Sequence, residues 1–554
     1  MDKDEIKQNE DQRIRAAAEI IHDEAEDAAA EIRNDVLNAE SEADAADSAE
    51  QSARLPNFFE ALLPIIVMSA LMLYGYLGNS SYKDVHMPLL CATVVACFVG
   101  MRCGHPFQKM LDGMLKRLSD TMEAILIICT VGLLVASFIM SGTIPAVIYY
   151  GLNLLTPKLF LPIGCIICAI VGLACGSSWT ATATIGIAFL GIGAGLGVNP
   201  AITAGMIISG AYVGDKFSPL SDTTNLAAAV AETGLFDHVA AMVSTTLPTY
   251  LIALVLYTIL GLRINTDGYD PAIAANLQSA LAKHFYLNPV LMIPVLVVII
   301  ACVVRLPSLV GIALAVFTGV IFAVIFQGYH NLGDIFNALH YGLTYSTGNE
   351  TVDKLLNRGG LNNQMWTISL ILLAVIYGGA LESCGCITTL FHRLKKHLTT
   401  PGRLVVATLI TSIFCDATMC DQTLGIGVPA PLYADKYDEL GLSRSMLSRS
   451  LEDAGTLWAV LFPWTGCGAY QFGVLGVHPF AYFPFAFMNL INPFYAGIMA
   501  LLRRNIIWAD GAYTNILGKT KKMPPAAAPE EQHRIALANL EQMRREGTAP
   551  IPEE

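Results

Sequence analysis

Residues 58–502 are mostly apolar, and one short polar run, DKFSPLSDTTN (215–225), interrupts them. A charged side chain at bilayer depth costs about 2.5–3.5 kcal/mol on insertion scales. Pro219, inside the run, has no backbone N–H and breaks a helix. Irregular backbone at membrane depth is tolerated only where it faces protein or water. The run therefore predicts a helix broken inside a membrane, with carboxylates and hydroxyls at the break.

The composition is typical of a polytopic membrane protein. Of 554 residues, 54% are hydrophobic and 14% are charged, whereas soluble domains average about 25% charged. The net charge of −13 lies mostly in residues 1–54, which hold 17 acidic and 6 basic side chains. No basic patch indicates nucleic acid, and no nucleophile elbow or P-loop indicates an enzyme or a primary pump. We expect no cofactor and no transition-metal site, since Cys384-Gly-Cys386 lacks metal-site spacing.

Hydropathy divides the chain into five parts. They are an acidic, Ala-rich cytoplasmic tail (1–54), a first transmembrane repeat (55–262), an inter-repeat loop (263–287), a second transmembrane repeat (288–505) and a cytoplasmic C-terminal tail (506–554).

The two transmembrane parts resemble each other with a period near 240 residues. IMSGTIP (139–145) matches ESCGCIT (382–388), and TIGI (184–187) matches TLGI (423–426). Gly197 matches Gly441, and Ser218-Pro219 matches Phe462-Pro463. Two halves with corresponding interrupted helices indicate a central binding site.

Loop charges indicate that the two repeats have opposite orientations. Residues 102–117 are basic whereas their counterpart 328–364 is nearly neutral, and 388–403 is basic whereas its counterpart 142–158 is not. The basic residues are Arg102, Lys109, Lys116 and Arg117 in the first loop and Arg393, Lys395, Lys396 and Arg403 in the second. Basic loops stay in the cytoplasm. The fold class is therefore all-α and polytopic, with two inverted-topology repeats whose broken or re-entrant helices meet near the midplane and with both termini cytoplasmic.

The candidate binding site for cations and protons centres on Asp222. Asp215 lies seven residues earlier, beside Lys216, which we take as its partner. Burial favours the protonated form of a carboxyl group, so Na⁺ and H⁺ would compete for Asp222. Hydroxyl and amide oxygens that suit a hard cation follow in the same run: Ser221, Thr223, Thr224 and Asn225.

The second half offers further candidates for the same site. Asp453 lies in a helix that runs to Pro463, and Thr465 follows that break. Asp421 begins an irregular segment. Glu382 ends a long apolar run, where it either lines the pathway or reaches the cytoplasmic face. His238 is interpreted as structural.

Long segments of the chain resemble the NhaC family of Na⁺/H⁺ antiporters, within the ion transporter superfamily. The segments are ASFIMSGTIPAVIYYGL (136–152), GSSWTATATIGIAFLGIGAGLG (176–197), ISGAYVGDKFSPLSDTTNLA (208–227), LSRSLEDAGT (447–456) and LFPWTGCGAY (461–470). The resemblance implies exchange of Na⁺ for H⁺, although the family includes carriers that exchange malate for lactate. Thr465 stands where the family commonly has Asn, which keeps an organic substrate open.

We therefore expect a secondary transporter in the cell membrane that exchanges Na⁺ for H⁺ by alternating access. The alternative is a carrier, coupled to Na⁺ or H⁺, of a small organic anion or an amino acid. A channel or an intramembrane enzyme is a third class, and neither a nucleophile–base pair nor a metal cluster favours the enzyme. The expected partners are Na⁺, H⁺ and the lipid bilayer, and a homodimer is compatible with the sequence.

Overall fold

The computed structural model describes residues 53–77, 84–263, 271–392, 397–522 and 530–552. Of the acidic tail predicted at 1–54, only the last two residues are described. Three of the basic residues predicted in the loop 388–403 also lie outside the described residues: Arg393, Lys395 and Lys396. The helices of the first half are α1 (Phe58–Leu77), α2 (His86–Arg102), α3 (Phe107–Met140), α4 (Thr143–Leu154), α5 (Pro157–Cys175), α6 (Ser178–Gly195), α7 (Pro200–Phe217), α8 (Asp222–Val230) and α9 (Leu235–Arg263).

Residues 264–270 are not among the described residues, and the helices of the second half follow them. These helices are α10 (Pro271–His284), α11 (Ile293–Val303), α12 (Ser308–Gln327), α13 (Leu332–Tyr341), α14 (Glu350–Leu356), α15 (Met365–Ser383), α16 (Cys386–His392), α17 (Pro401–Met419), α18 (Gln422–Gly427), α19 (Pro429–Glu439), α20 (Arg444–Ala459), α21 (Gly466–Leu475), α22 (Pro479–Tyr482) and α23 (Phe487–Leu501).

The protein is a multi-pass membrane protein. Among the described residues, eight helices are long and apolar enough to cross a membrane, or ten if each of two bent pairs forms one span. Helix α12 is apolar all round and only 28% of its apolar window is buried, so it faces lipid. Helix α6 is 83% buried and lies at the centre of the helix bundle.

The starts of α5, α6, α7 and α8 recur with a shift of 244 residues at the starts of α17, α18, α20 and α21. Helix α5 begins at Pro157 and α17 begins at Pro401, and both are 19 residues long. Gly197 and Gly441 both have positive φ, of 71° and 61°. The predicted match of TIGI with TLGI is wrong, because the same shift places Thr184 opposite Val428. The opposite orientation of the halves in the bilayer stays a prediction.

Contacts between helices repeat along with the helices. Helix α5 packs on α7 and α9 in the first half, and α17 packs on α20 and α23 in the second. Close approach needs small residues, since a Cβ at Gly172 would lie 2.6 Å from the carbonyl oxygen of Ala211. Helices α7, α8 and α9 of the first half contact α20 and α23 of the second half. Many of the buried polar side chains lie on these helices.

Two segments predicted to be irregular are folded. The inter-repeat loop contains α10, which is bent by 95° from the following segment, Pro289–Val303. The C-terminal tail forms an antiparallel sheet of β1 (Ile506–Ile507), β2 (Ala512–Thr514) and β3 (Thr520–Lys522), followed by α24 (Glu530–Arg545). Both the sheet and α24 contact α19 to α20, because Trp508, Ala512 and Leu540 bury apolar side chains there.

Candidate functional site

Four helix starts, two from each half, surround one cavity. The N-cap residues of these helices are Ser177, Ser221, Asp421 and Thr465, and each side chain accepts a hydrogen bond from a backbone N–H of the following turn. Such caps satisfy donors that a helix start leaves free. Ser177 corresponds to Asp421 under the repeat, and Ser221 corresponds to Thr465.

The backbone explains why the helices are interrupted at these positions. Helices α5 and α17 end at Gly176 and Cys420, both left-handed with φ of 62°. A left-handed residue ends a helix. The other two starts follow Pro219 and Pro463, which cannot donate to a preceding turn.

The cavity has a volume of about 340 Å³ and is lined mainly by acidic and hydroxyl side chains. Its five carboxylates are Asp120, Glu123, Asp215, Asp222 and Asp421. In the part of the chain that the structure describes, no lysine, arginine or histidine lines it. The arrangement therefore attracts cations.

Asp215 and Asp222 occupy different positions at this cavity. Asp215 is buried, and its Oδ2 accepts hydrogen bonds from the backbone N of Ser178 at 3.1 Å and from Ser178 Oγ at 2.7 Å. Asp222 is the first residue of α8, and its side chain is exposed rather than buried as the sequence predicted. A negative charge there is stabilised by the helix dipole.

Lys216 does not pair with Asp215, contrary to the prediction. Its Nζ lies 2.7 Å from Asp453 Oδ1, and both side chains are fully buried. Thr245 Oγ1 and Asn492 Nδ2 donate to the same oxygen, at 3.1 and 2.7 Å. Neighbouring residues on a helix point to different sides, so Asp215 faces the cavity while Lys216 faces α20.

Of the predicted site residues, the structure brings five to the cavity lining: Asp215, Asp222, Ser221, Thr223 and Asp421. Thr465 caps α21 beside the lining residue Gly466.

The remaining predicted residues have other contacts. Asp453 pairs with Lys216, and Thr224 donates to Glu452. Asn225 Nδ2 donates to the carbonyl oxygens of Pro219 and Ser221, at 3.0 and 2.7 Å, and so stabilises the break itself.

Glu382 is one half of a bidentate ion pair. Its carboxylate oxygens lie 2.6 and 2.7 Å from the Arg117 guanidinium. Glu382 does not line the described cavity, and its place at the cytoplasmic face stays a prediction. The ion pair places the end of α15 beside the first third of α3.

Two groups of residues escaped the sequence analysis. Asp120 and Glu123 reach the cavity from α3, and their i, i+3 spacing inside a long helix was the available signal. The second group consists of His238 and Glu452, which are buried and in contact. His238 Nε2 lies 2.6 Å from Glu452 Oε2. No local pattern signals this contact, since the two residues lie 214 positions apart.

Known proteins resemble most of the chain. A model of the Na⁺/H⁺ antiporter family matches residues 210–502. The Na⁺/H⁺ antiporter NhaC of Alkalihalophilus pseudofirmus is 37% identical over 74% of this chain and 88% of its own length.

Other relatives carry other names. The malate-2H⁺/Na⁺-lactate antiporter of Bacillus subtilis is 33% identical over 80% of this chain and 94% of its own. The arginine/ornithine antiporter ArcD of Halobacterium salinarum is 34% identical over 80% of this chain and 92% of its own.

Proposed function

Since the chain belongs to the Na⁺/H⁺ antiporter family, we propose that it exchanges Na⁺ for H⁺ across the cell membrane, by alternating access through the central cavity. The observation that carries the proposal is the cavity lining, with five carboxylates and, among the described residues, no basic side chain. Such a lining suits a small cation and repels an anion such as malate or lactate.

Asp215 and Asp222 are the carboxylates that we assign to the transported cation. Hard cations take oxygen ligands, and Ser178, Ser221 and Thr223, which carry hydroxyls, line the same cavity. Asp222 is exposed to water in the cavity, so Na⁺ and H⁺ reach the same carboxylate. Competition for one carboxylate gives exchange, because the carrier crosses loaded with either ion.

The loop charges supply the orientation in the proposal. Arg117 and Glu382 join the first third of α3 to the end of α15, which supports placing the two basic loops at one end of the molecule. Basic loops are cytoplasmic, which puts both termini in the cytoplasm. Opposite orientation of the two repeats would let one group of helices rock against the other.

A basic amino acid is the second candidate substrate. The cavity volume of about 340 Å³ is roughly that of ten water molecules in the liquid, so it exceeds what one ion fills. The carboxylate lining favours a substrate with a cationic side chain, as the name of the arginine/ornithine relative suggests. If a basic amino acid is transported, the carboxylate site still binds the Na⁺ or H⁺ that drives its transport.

Purified protein in liposomes with a trapped pH dye tests the proposal. An inward Na⁺ gradient alone should drive protons outward and raise the internal pH. Arginine, ornithine, malate and lactate are then added one at a time without Na⁺. Proton movement that needs one of these solutes, and that Na⁺ alone does not produce, would contradict Na⁺/H⁺ exchange.

A further inference from the structure

Glu452 and His238 form a fully buried pair of titratable side chains beside the cavity. His238 Nε2 and Glu452 Oε2 lie 2.6 Å apart, and both side chains are 0% exposed. Glu452 lies on α20 and His238 on α9, so the pair joins the two halves. Isolated buried charges are costly unless they are paired, and this pair uses no group assigned above to the Na⁺ site.

The hydrogen bonds around the pair suit one proton held between its two members, in the His238 tautomer that carries its hydrogen on Nδ1. Ser448 Oγ donates to the Ser445 carbonyl and therefore accepts from His238 Nδ1, at 2.8 Å. Because Nδ1 carries a hydrogen, a close contact of Nε2 with Oε2 requires a hydrogen on one of these two atoms. The loaded pair is neutral overall, and loss of this proton leaves the Glu452 carboxylate with a negative charge.

A short chain of hydroxyls connects the pair to the cavity. Thr223 Oγ1 donates to Glu452 Oε1 at 3.2 Å, and Ser221 Oγ lies 3.0 Å from Thr223 Oγ1. Ser221 and Thr223 both line the cavity. Thr224 Oγ1 donates to the same Glu452 oxygen at 3.1 Å but does not line the cavity.

We infer that the Glu452–His238 pair is a proton-binding site separate from the Na⁺ site, reached from the cavity through Ser221 and Thr223. The inference rests on the proposed Na⁺/H⁺ exchange. In loading, a hydronium ion in the cavity gives its proton to Ser221 Oγ and becomes water. Ser221 passes its own hydrogen to Thr223, and Thr223 passes its hydrogen to Glu452 Oε1.

The carboxyl group of Glu452 then rotates by half a turn about χ3, which exchanges its two oxygens and brings the new proton to His238 Nε2. The rotated position is equally favourable, because this torsion is two-fold. Release reverses these steps, and each hydroxyl keeps one hydrogen throughout. The buried proton site is thus connected to cavity water through three oxygen atoms: Ser221 Oγ, Thr223 Oγ1 and Glu452 Oε1.

The site gives H⁺ and Na⁺ a second way to exclude each other, in addition to their competition for Asp222. Glu452 interacts electrostatically with Asp215. An empty pair adds one negative charge near the cavity and strengthens Na⁺ binding, whereas a loaded pair removes that charge. The other ionisable side chains on the helices that pack around the pair include Asp215 and Lys216 on α7, Asp222 on α8, Asp237 and Arg263 on α9, Arg403 and Asp416 on α17, Asp435, Lys436, Asp438 and Glu439 on α19, and Arg444, Arg449 and Asp453 on α20. Asp453 lies 2.7 Å from Lys216 and 3.9 Å from Arg449, so these three side chains carry one net positive charge.

Glu452→Gln tests the inference, because the amide keeps the shape but does not titrate. In liposomes, two readouts are compared: internal pH after Na⁺ addition, and exchange of ²²Na⁺ for unlabelled Na⁺ at equal pH. We expect Na⁺-driven proton movement to fall about 100-fold, while Na⁺/Na⁺ exchange persists with a raised KM for Na⁺. A variant that moves protons at the wild-type rate would overturn the inference.

Thr223→Val and Thr224→Val are matched variants that also serve if Glu452→Gln does not fold. Each removes one hydroxyl donor from the same Glu452 oxygen, but only Thr223 connects to Ser221. A relay predicts that Thr223→Val slows proton movement about tenfold without an equal loss of Na⁺/Na⁺ exchange, and that Thr224→Val slows proton movement by about threefold at most. Equal losses would show that the hydroxyls only stabilise the pair.

The outcomes separate this inference from the proposed function. If wild-type protein does not move protons in response to Na⁺, Na⁺/H⁺ exchange itself is wrong. If wild type moves protons and both Glu452→Gln and Thr223→Val behave like wild type, the exchange stands and the separate proton site is wrong.

Discussion

Lys216 Nζ lies 2.7 Å from Asp453 Oδ1 across the boundary between the two halves, and neither side chain is exposed. This ion pair fixes α7 against α20 and leaves Asp215, the neighbour of Lys216, without the counter-charge that its sequence position suggested. Asp215 therefore belongs with Asp222 at the cavity.

Removal of one member of the buried ion pair should destabilise the protein. Breaking such a pair costs about 3–5 kcal/mol, because the remaining charge is buried without a partner. Asp453→Asn and Lys216→Met should each lower the thermal unfolding midpoint in detergent. The double variant should be more stable than the sum of the two losses predicts, since Lys216 and Asp453 are removed together. Arg449, whose Nε lies 3.9 Å from Asp453 Oδ2, loses its carboxylate in Asp453→Asn and in the double variant alike. Strictly additive losses would contradict direct pairing.

Asp215→Asn should reduce Na⁺-driven proton movement as severely as a change at Asp222. The reason is that Asp215 is a cavity carboxylate held by Ser178, rather than the partner of Lys216. Initial rates of internal pH change in liposomes measure the effect.

Asp120→Asn provides the control for Asp215→Asn. Asp120 also lines the cavity, but it is exposed and lies 3.8 Å from Arg117, so its charge is partly compensated and screened. We expect a rate loss of about threefold at most, in line with a weak surface ion pair. Equal losses in both variants would show that only the total negative charge matters.

Gly425→Ala should destabilise the protein, whereas Gly427→Ala should not. A Cβ at Gly425 would lie 1.9 Å from Asp416 Oδ1, and Asp416 is fully buried. At Gly427 a Cβ meets nothing within 4 Å, and alanine improves helix propensity by about 1 kcal/mol. Thermal unfolding of both variants in one detergent measures the difference. Similar midpoints would contradict the tight packing of α18 on α17.

Cysteine labelling should place the two basic loops on the same side of the membrane. In a variant without native thiols, single cysteines replace Lys116, Arg403 or, as the control, Asp334. An impermeant maleimide should label the first two only in inside-out vesicles and the control only in intact cells. Labelling of Lys116→Cys or Arg403→Cys from outside would refute the proposed orientation.

The broken helices were predictable because their signals are local. Pro219 and Pro463 interrupt apolar segments, and the polar side chains that follow are N-caps in the structure. The correspondence of Gly197 with Gly441 was also predictable, since a left-handed turn after a helix favours glycine. TIGI and TLGI misled because short Gly-containing matches recur by chance in apolar helices.

The pairing of charged side chains could not be predicted, because it depends on how distant helices pack. Lys216 finds Asp453, which lies 237 positions away, and His238 finds Glu452, which lies 214 positions away. Sequence proximity instead favoured the pairing of Lys216 with Asp215. The folding of β1 to β3 was missed because strands of two or three residues leave no pattern of alternation.

Asp222→Asn in liposomes tests the central claim, exchange of Na⁺ for H⁺ at the cavity carboxylates, most directly. The amide keeps the shape of the side chain but neither titrates nor carries charge, and Asp222 is exposed, so folding should be preserved. We predict that an inward Na⁺ gradient raises the internal pH with wild-type protein and leaves it unchanged with Asp222→Asn. Na⁺-driven proton movement at the wild-type rate by the purified, folded variant would contradict the account.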